Sequence, residues 1–576
     1  MKKATASKEE ESKPVNSNGE KAQELCRRWT FLQAELTTFK TIWQEIADFF
    51  MPRKAGIITK TTTPNVNKES QRFDSSPQQA VQIMAGGLMS WLTPSAQPWF
   101  SYNPIRQLRD VDRVKAWMAE CTEVMQEVLA NSNFYTEAHE DMLNHCTFAT
   151  SALYSELIDG ELRFEALPTG TYAIEENASG VVDTLFREFE FTARQAADKF
   201  EEETLPPKIR EALKSPEKAG SKFRFLHAVY PRPESERGEG VYQQTKMGKP
   251  FASCYVELGE KWLVQEGGYD TFPFQVGRYL KWGTVPSVYG YGPGFGALPE
   301  ARQGDYINMV LDVAAEKIVN PSMLAPAELD GNLILSAGGI TYVNSAIPDG
   351  RWPKPIEQNG DYSVAQERVN MRKKVIESWF HVDLFNMFAS LDQDRRQMTA
   401  FEVSQRISQK VELIEPAYSR IANEKHTPML KRLFGLLMEA GMLPPPPPEA
   451  VVPVSQFMGY VPPPVVAFTS RMALMIASRH NRSFEENIEL DIRMMQFDPS
   501  ALDDYNLSRI RRDRARNNGV PVEWMRSEED AQKIGQARAQ AQQAQQQMQM
   551  LAQGAQAAGG LSKAAPAIQQ MMGGGQ

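Results

Sequence analysis

Apolar residues recur along this chain at helical and strand spacings in a definite order. Leu25, Trp29 and Leu32 fall at i, i+4, i+7, and Leu36, Phe39 and Trp43 extend the stripe, predicting a helix from Ala22 to Met51 that Pro52 ends. In FDSSPQQAVQIMAGGLMSWLTPSAQPWF (73–100), Ser76 is placed to cap a helix, Pro77 suits its first position, and Gln79 completes a capping box. Val81, Met84 and Leu88 form its buried stripe, and Gly86-Gly87 predicts a close packing contact such as another helix backbone. Residues 111–150 read as helical, with Trp117, Cys121, Val124 and Val128 on one face. Residues 151–192 read as strands around an Asp-Gly turn, 193–214 as helix, and 223–280 as strands again.

In the second half, GYGPGFG (290–296) reads as a joint before a helix at 297–319, where Ile307, Leu311, Ala314 and Ile318 mark one face. Short strands and turns follow over 320–362. A second helix is expected at 363–380, with Val369, Ile376 and Phe380 on one side and Arg372, Lys373 and Lys374 in its middle. Residues 381–397, with LDQDRRQ, read as irregular. Thr399 and Glu402 form a capping box before the stripe Val403, Ile407, Val411, Ile414, Tyr418, Ile421, which Pro416 and Pro428 must kink or break before Gly441 stops it. Residues 444–465 read as a proline-rich extended linker, 466–530 as a small helical unit, and the Gln/Ala-rich end as a solvated, fraying helix.

At 576 residues the chain exceeds one core, which stops growing near ~250–300 residues. Its net charge of −9 argues against a general nucleic-acid binder, which needs a basic surface to neutralise phosphates. The four cysteines, Cys26, Cys121, Cys146 and Cys254, are widely spaced and fit a reducing compartment. The polar start is not a signal peptide, and no run approaches the ~18 apolar residues of a membrane helix, so a soluble, cytosolic chain is expected.

Candidate chemistry is sparse. GYGPGFG lacks the lysine of a phosphate loop. His139 and His145 stand six residues apart, so they miss the i, i+4 spacing of a zinc helix. The acid pairs Glu485-Glu486 and Asp503-Asp504 read as solvated, and Arg509–Arg516, interrupted by Asp513, as a solvated helix or subunit contact. No nucleophile motif stands out, so no enzyme, cofactor or metal is expected.

Four stretches in sequence carry a resemblance: FDSSPQQAVQIMAGGLMSWLTPSAQPWF; RYLKWGTVPSVYGYGPGFGALPEARQGDYINMVLDVAAEKIVNPSM (278–323); MTAFEVSQRISQKVELIEPAYSRIANEKHTPMLKRLFGLLMEAGMLPPPP (398–447); and NNGVPVEWMRSEEDAQKI (517–534). Their order over most of 25–535 resembles the portal, or head-to-tail connecting, proteins of short-tailed double-stranded DNA phages. The resemblance implies an α+β, mainly helical fold, assembled as a twelve-copy ring at one capsid vertex, with a channel that DNA passes in packaging and ejection. It implies a disordered 1–21, a wing at 22–280, a hinge and first stem helix at 281–319, a clip at 320–362 and a second stem helix at 363–380. A tunnel loop at 381–397, a long kinked helix at 398–443, the linker at 444–465, a crown at 466–535 and the tail at 536–576 complete the mapping.

On that mapping Lys373, Lys374, Arg395 and Arg396 lie at or near the channel and touch phosphates transiently. Asp330, Asn332, Asn344 and Asp349 sit in the clip that meets motor or tail. The implied partners are copies of the chain, duplex DNA, major capsid and scaffolding proteins, terminase and tail adaptors, with no membrane. Two other readings stand beside it: a different virion or ejected internal protein, and a DNA-packaging enzyme.

Overall fold

The structure, a computed structural model, describes residues 17–58, 71–109, 111–237, 245–282, 287–324, 354–356, 362–390, 414–455 and 458–476, with scattered positions between 488 and 548. The chain divides into two compact units. One comprises residues up to Leu108 together with Ala116–Met472; the other comprises Arg109–Lys115 and Ala473–Gln576.

In the first unit, α1 (Ser17–Phe50) buries Leu25, Trp29, Leu32, Leu36 and Trp43 of the expected stripe and half-buries Phe39. Helix α2 (Ser76–Leu92) buries Val81, Met84 and Leu88, but the expected Ser76 cap does not form. Ser76 is already helical, its hydroxyl has no partner, and its N–H donates to Asp74 Oδ1 at 2.9 Å. Asp305 fixes that entry by accepting from the N–H groups of Phe73 (2.7 Å) and Asp74 (3.1 Å). The contact at Gly87 is with a ring, not a backbone: a Cβ there would run into Phe385.

Strand β1 (Phe100–Asn103) leads to α3 (Asp112–Asn131) and α4 (Phe134–Phe148). The region 111–150, read as helical, is two helices, with Ser132 Oγ accepting from the Phe134 N–H at 3.1 Å where the second begins. The buried face of α3 runs through Val114, Trp117, Met118, Cys121, Met125 and Leu129, leaving Val124 and Val128 half-buried.

Strands β2 (Thr150–Ile158) and β3 (Glu161–Ala166) form a hairpin whose two-residue turn, Asp159 (φ 51°) and Gly160 (φ 83°), is left-handed at both positions. The free edge of β3 is closed by side chains. Asn133 Oδ1 accepts from Phe164 N at 2.9 Å and Glu137 Oε2 from Ala166 N at 2.8 Å.

Next come β4 (Tyr172–Glu176), β5 (Val182–Thr192), α5 (Ala193–Lys199), α6 (Pro207–Leu213), β6 (Lys222–Pro231), β7 (Phe251–Glu257), β8 (Trp262–Tyr269) and β9 (Phe274–Arg278). They make two antiparallel sheets, β3-β2-β9 and β4-β5-β6-β7-β8. Helices α5 and α6 cover the larger sheet with Ala196 and Ile209, and the segment between them with Phe200 and Leu205, against Phe225 and Tyr255.

The pair β10 (Leu280–Lys281) and β11 (Gly290–Tyr291) precedes α7 (Pro293–Val319). The glycine-rich stretch is therefore not a joint ahead of the helix. Gly294 and Gly296 lie inside α7, where a Cβ would strike the Thr147 carbonyl oxygen and the Trp379 ring respectively. The short ladder β12 (Met323–Leu324) with β13 (Lys354–Pro355) leads into α8 (Tyr362–Trp379). Where 381–397 reads as irregular, Val382–Ser390 is a helix, α9, that buries Val382, Leu384 and Phe385. Phe385 is the ring that fills the space at Gly87.

Thr399, Glu402, Val403, Ile407 and Val411 lie outside the described residues. Residues 414–421 are helical, and Ile414, Tyr418 and Ile421 are buried. A π turn, Ala422–His426, then hands over to α10 (Thr427–Glu439). Its extra residue sets the next helix back by roughly 100° relative to an unbroken α-helix. That brings Met429, Leu430, Leu433 and Leu437 onto the side already buried by Ile414, Tyr418 and Ile421. Pro428, which has no N–H, falls in the first turn of α10, directly after the π turn.

Gly441 (φ 68°) closes α10, with Met442 N–H on Leu437 O at 2.9 Å and Gly441 N–H on Met438 O at 3.1 Å. The stretch expected as a linker is tied down. Pro444 O accepts from Trp117 Nε1 at 2.9 Å, β14 (Val452–Ser455) pairs β15 (Met458–Tyr460), and β16 (Val465–Phe468) pairs β1. In the second unit, residues 533–545 are helical and mostly exposed.

Candidate functional site

Helices α7 and α8 form an antiparallel hairpin. Gly296 lies against Trp379, the Glu300 carboxylate accepts from Arg372 at 2.5 Å, and Met323 pairs with Pro355 at the far end. The hairpin changes character along its length. From Pro293 to Gly304, α7 is embedded, with Phe295, Ala297, Leu298 and Ala301 buried. Beyond Gly304 no residue of α7 is fully buried, and Ile307, Leu311 and Ala314 are only half-covered. Ile318, expected on the same face, is exposed. Val369 and Ile376 of α8, with Phe380 just beyond it, are buried.

Large apolar side chains nevertheless stand open on both helices. Tyr306, Val310 and Val313 of α7 are 63%, 45% and 46% exposed, and Val364, Met371 and Val375 of α8 are 52%, 66% and 39% exposed. Each trio keeps to one side of its helix. Each lies roughly a third of a turn from the side facing the other helix, at 100° per residue. The side of α8 turned away from the buried Val369 and Ile376, roughly a quarter of a turn from its open apolar trio, is polar: Glu367, Asn370 and Lys374 are exposed there, beside the half-buried Glu377.

Of the basic residues singled out in the sequence, Lys374 is therefore exposed on the polar side, Lys373 is half-buried beside it, and Arg372 is engaged by Glu300. Arg395, Arg396, Asp330, Asn332, Asn344 and Asp349 lie outside the described residues.

A second cluster was not legible in the sequence. The π turn presents Glu424 and Lys425 to two different parts of the sheet region. Glu424 accepts from Arg278 through its backbone N–H (3.1 Å), Nε (3.2 Å) and Nη2 (3.1 Å), and the same guanidinium meets Glu176. The Lys425 ammonium pairs with Asp141 and donates to Ser151 Oγ at 2.7 Å, while its stem lies on Gly277, where no Cβ fits. Burial lowers the Lys425 ammonium against the opposing pull of Asp141. His145 Nδ1 lies 3.4 Å from Ser151 Oγ. Burial holds His145 well below its ordinary value and His426 down at about 3.

A serine beside a lysine, an aspartate and a histidine has the composition of a nucleophilic centre. Ser151 and His145 are 0% exposed, however, so no substrate reaches them and the cluster serves as packing. Among the described residues no group of His, Cys, Asp or Glu is arranged to hold a metal ion, and no helix is long and apolar enough to cross a membrane. An open groove of about 520 Å³ lies between α1 and the β4–β5 hairpin. Its Glu175 pairs with Arg28, and its Glu176 with Arg278 and Lys281.

Comparison with known proteins assigns the chain. Residues 22–525 match the family described as bacteriophage head to tail connecting protein. A probable portal protein of Bordetella phage BPP-1 is 29% identical over 431 residues, covering 74% of this chain and 76% of that one. The portal protein of Salmonella phage epsilon15 is 26% identical over 545 residues, covering 92% and 94%. Among solved structures, a chain of the neck of an empty gene transfer agent particle is 10% identical, with a TM-score of 0.31, over 63% of this chain and 79% of that one. A chain of the native gene transfer agent virion is also 10% identical, with a TM-score of 0.27, over 65% and 88%. At those scores the structural likeness fixes neither fold nor function. The match over residues 22–525 assigns the family: the chain belongs to the bacteriophage head to tail connecting, or portal, proteins, structural proteins of the virion and not enzymes.

Proposed function

We propose that copies of this chain close into a ring of twelve at one capsid vertex, and that the α7–α8 hairpin forms its channel wall. Duplex DNA passes through that channel in packaging and ejection. The observation that carries this reading is the hairpin itself: an antiparallel helix pair with open apolar side chains on one side and a polar side bearing Lys374. A lone chain gains nothing from leaving six large apolar residues in water, whereas a ring gives them neighbours.

A conduit must not grip its cargo. Each phosphate contact adds affinity through counterion release, so a densely basic wall would act as a brake. A subunit of net charge −9 with sparse lysines suits passage. In this reading Lys374 and Lys373 meet phosphates transiently, and Arg395 and Arg396 do so from the segment between α9 and residue 414. The segment joining β12 to β13, with Asp330, Asn332, Asn344 and Asp349, would meet the terminase and the tail adaptors. The sheet region would face the major capsid and scaffolding proteins.

Electron microscopy of the purified full chain tests the assembly: rings with a central hole are expected, and strictly monomeric protein would overturn it. For the channel, exchanging Lys373, Lys374, Arg395 and Arg396 for glutamate should impair packaging or retention of the genome in assembled rings. Unchanged packaging would remove these residues from the wall.

A further inference from the structure

The buried cluster at the π turn holds an amine and a carboxyl group against each other. Lys425 and Asp141 are each 3% exposed, and they stand 284 positions apart in the chain. The Lys425 ammonium donates to Asp141 Oδ2 and, at 2.7 Å, to Ser151 Oγ, which lies 3.4 Å from His145 Nδ1. The lysine stem is seated on Gly277, where a Cβ would collide with it. Two polar atoms of the cluster, Asp141 Oδ1 and His145 Nε2, are buried without a hydrogen-bond partner. A buried carboxylate oxygen without a donor is costly, and a buried ion pair recovers its desolvation only when its hydrogen bonds are complete. A neutral amide between the same two groups removes both charges.

We propose that Lys425 and Asp141 condense to an isopeptide bond, a covalent cross-link between the π turn and α4. Both reacting groups belong to the chain, so the burial that shuts out an external substrate is no obstacle. A proton first passes from Nζ to the carboxylate, giving a free amine and a carboxylic acid. Burial favours that neutral pair, and it draws the lysine below its ordinary value. The amine lone pair then attacks Asp141 Cγ. The Nζ–Cγ bond forms, the Cγ–OH bond breaks, and the hydroxyl leaves with a second proton from Nζ as one molecule of water. Nothing is oxidised or reduced, and no co-reactant enters. Ser151 Oγ is placed to relay that second proton, with His145, held neutral by burial, behind it. Groups fixed in contact react as though at effective concentrations of roughly 10⁵ M or more, which offsets the low reactivity of a carboxylic acid toward an amine. The product closes a long loop of chain and so restricts the unfolded state.

Mass spectrometry of the full chain, purified and then denatured, tests the bond. The intact chain should be lighter than its sequence by one water. Digestion should release a branched peptide that joins the segment around Asp141 to the segment around Lys425. Lys425→Arg keeps a cation beside Asp141 but lacks the amine, and should restore the full sequence mass. The peptide map of the unmodified chain decides the matter whether or not that variant folds. Full sequence mass, with the two segments recovered as separate linear peptides, would overturn the bond and leave an ion pair. A missing water that persists in Lys425→Arg, or that maps to a cyclised aspartate elsewhere, would overturn it as well.

Discussion

The sheet region and the outer half of the hairpin treat charge and apolar surface in opposite ways. Around the π turn, ionic groups are buried and paired: Lys425 with Asp141, and Arg278 with Glu424 and Glu176. On the hairpin beyond Asp305, large apolar groups are exposed, and charged residues such as Asp312, Glu316, Lys317 and Lys374 are exposed beside them. The first region satisfies its own difficult groups inside one chain. The second leaves its apolar groups in solvent, the feature on which the proposed ring rests. Substitutions in the sheet region should therefore register in the stability of a single chain, and substitutions on the hairpin in assembly.

The largest effect expected is at the buried pair. Lys425→Met leaves Asp141 charged and unpaired in the interior, and should cost about 3–5 kcal/mol in denaturant unfolding of the full chain. A loss below about 1 kcal/mol would mean the pair is not the fastening described. Gly294→Ala comes next. Its Cβ would meet the Thr147 carbonyl oxygen, so the backbone must shift, at a cost of about 1–3 kcal/mol. Thermal unfolding measures it, and an unchanged midpoint would refute the close approach.

Acid should act on the same region. His145, His227 and His426 are held below their ordinary value by burial, His426 at about 3. In the unfolded chain such groups take up protons near pH 6.5. The unfolded chain therefore binds more protons below that pH, and stability falls as pH drops from about 6.5 toward 3. Each histidine contributes a slope of up to about 1.4 kcal/mol per unit. Unfolding midpoints measured across that window should fall steadily, and a flat profile would contradict buried neutral imidazoles. The smallest change in chain stability belongs to the hairpin: Lys374→Glu should alter it by no more than about 0.5 kcal/mol. A large loss there would mean that Lys374 supports the fold instead of facing an open channel.

Much of this was legible from spacing alone. The α1 and α2 stripes, the Asp159-Gly160 hairpin and the helices on either side of the β12–β13 excursion all follow from periodicity, because burial of one face repeats at the period of the element. The departures share a different cause. Gly294 and Gly296 looked like a joint because sequence shows a missing side chain but not the carbonyl or ring that requires it to be missing. The 444–465 stretch looked like a linker because prolines disfavour regular ladders, yet Pro444 O and β16 find distant partners in Trp117 and β1.

Of the candidate site, the sequence offered the basic trio and no way to divide it. Tertiary packing gives Arg372 to Glu300, half-covers Lys373 and leaves Lys374 in solvent. Glu424, Lys425 and Asp141 carried no signal at all, since an ion pair spanning 284 positions has no local spacing.

By itself, then, the sequence determined the order and type of most elements and the family, because these rest on local periodicity and on motifs in a fixed order. Only the tertiary structure decided which apolar stripes are buried and which stand open. A stripe records that one face avoids water, while the surface that covers it belongs to residues hundreds of positions away, or to another copy of the chain.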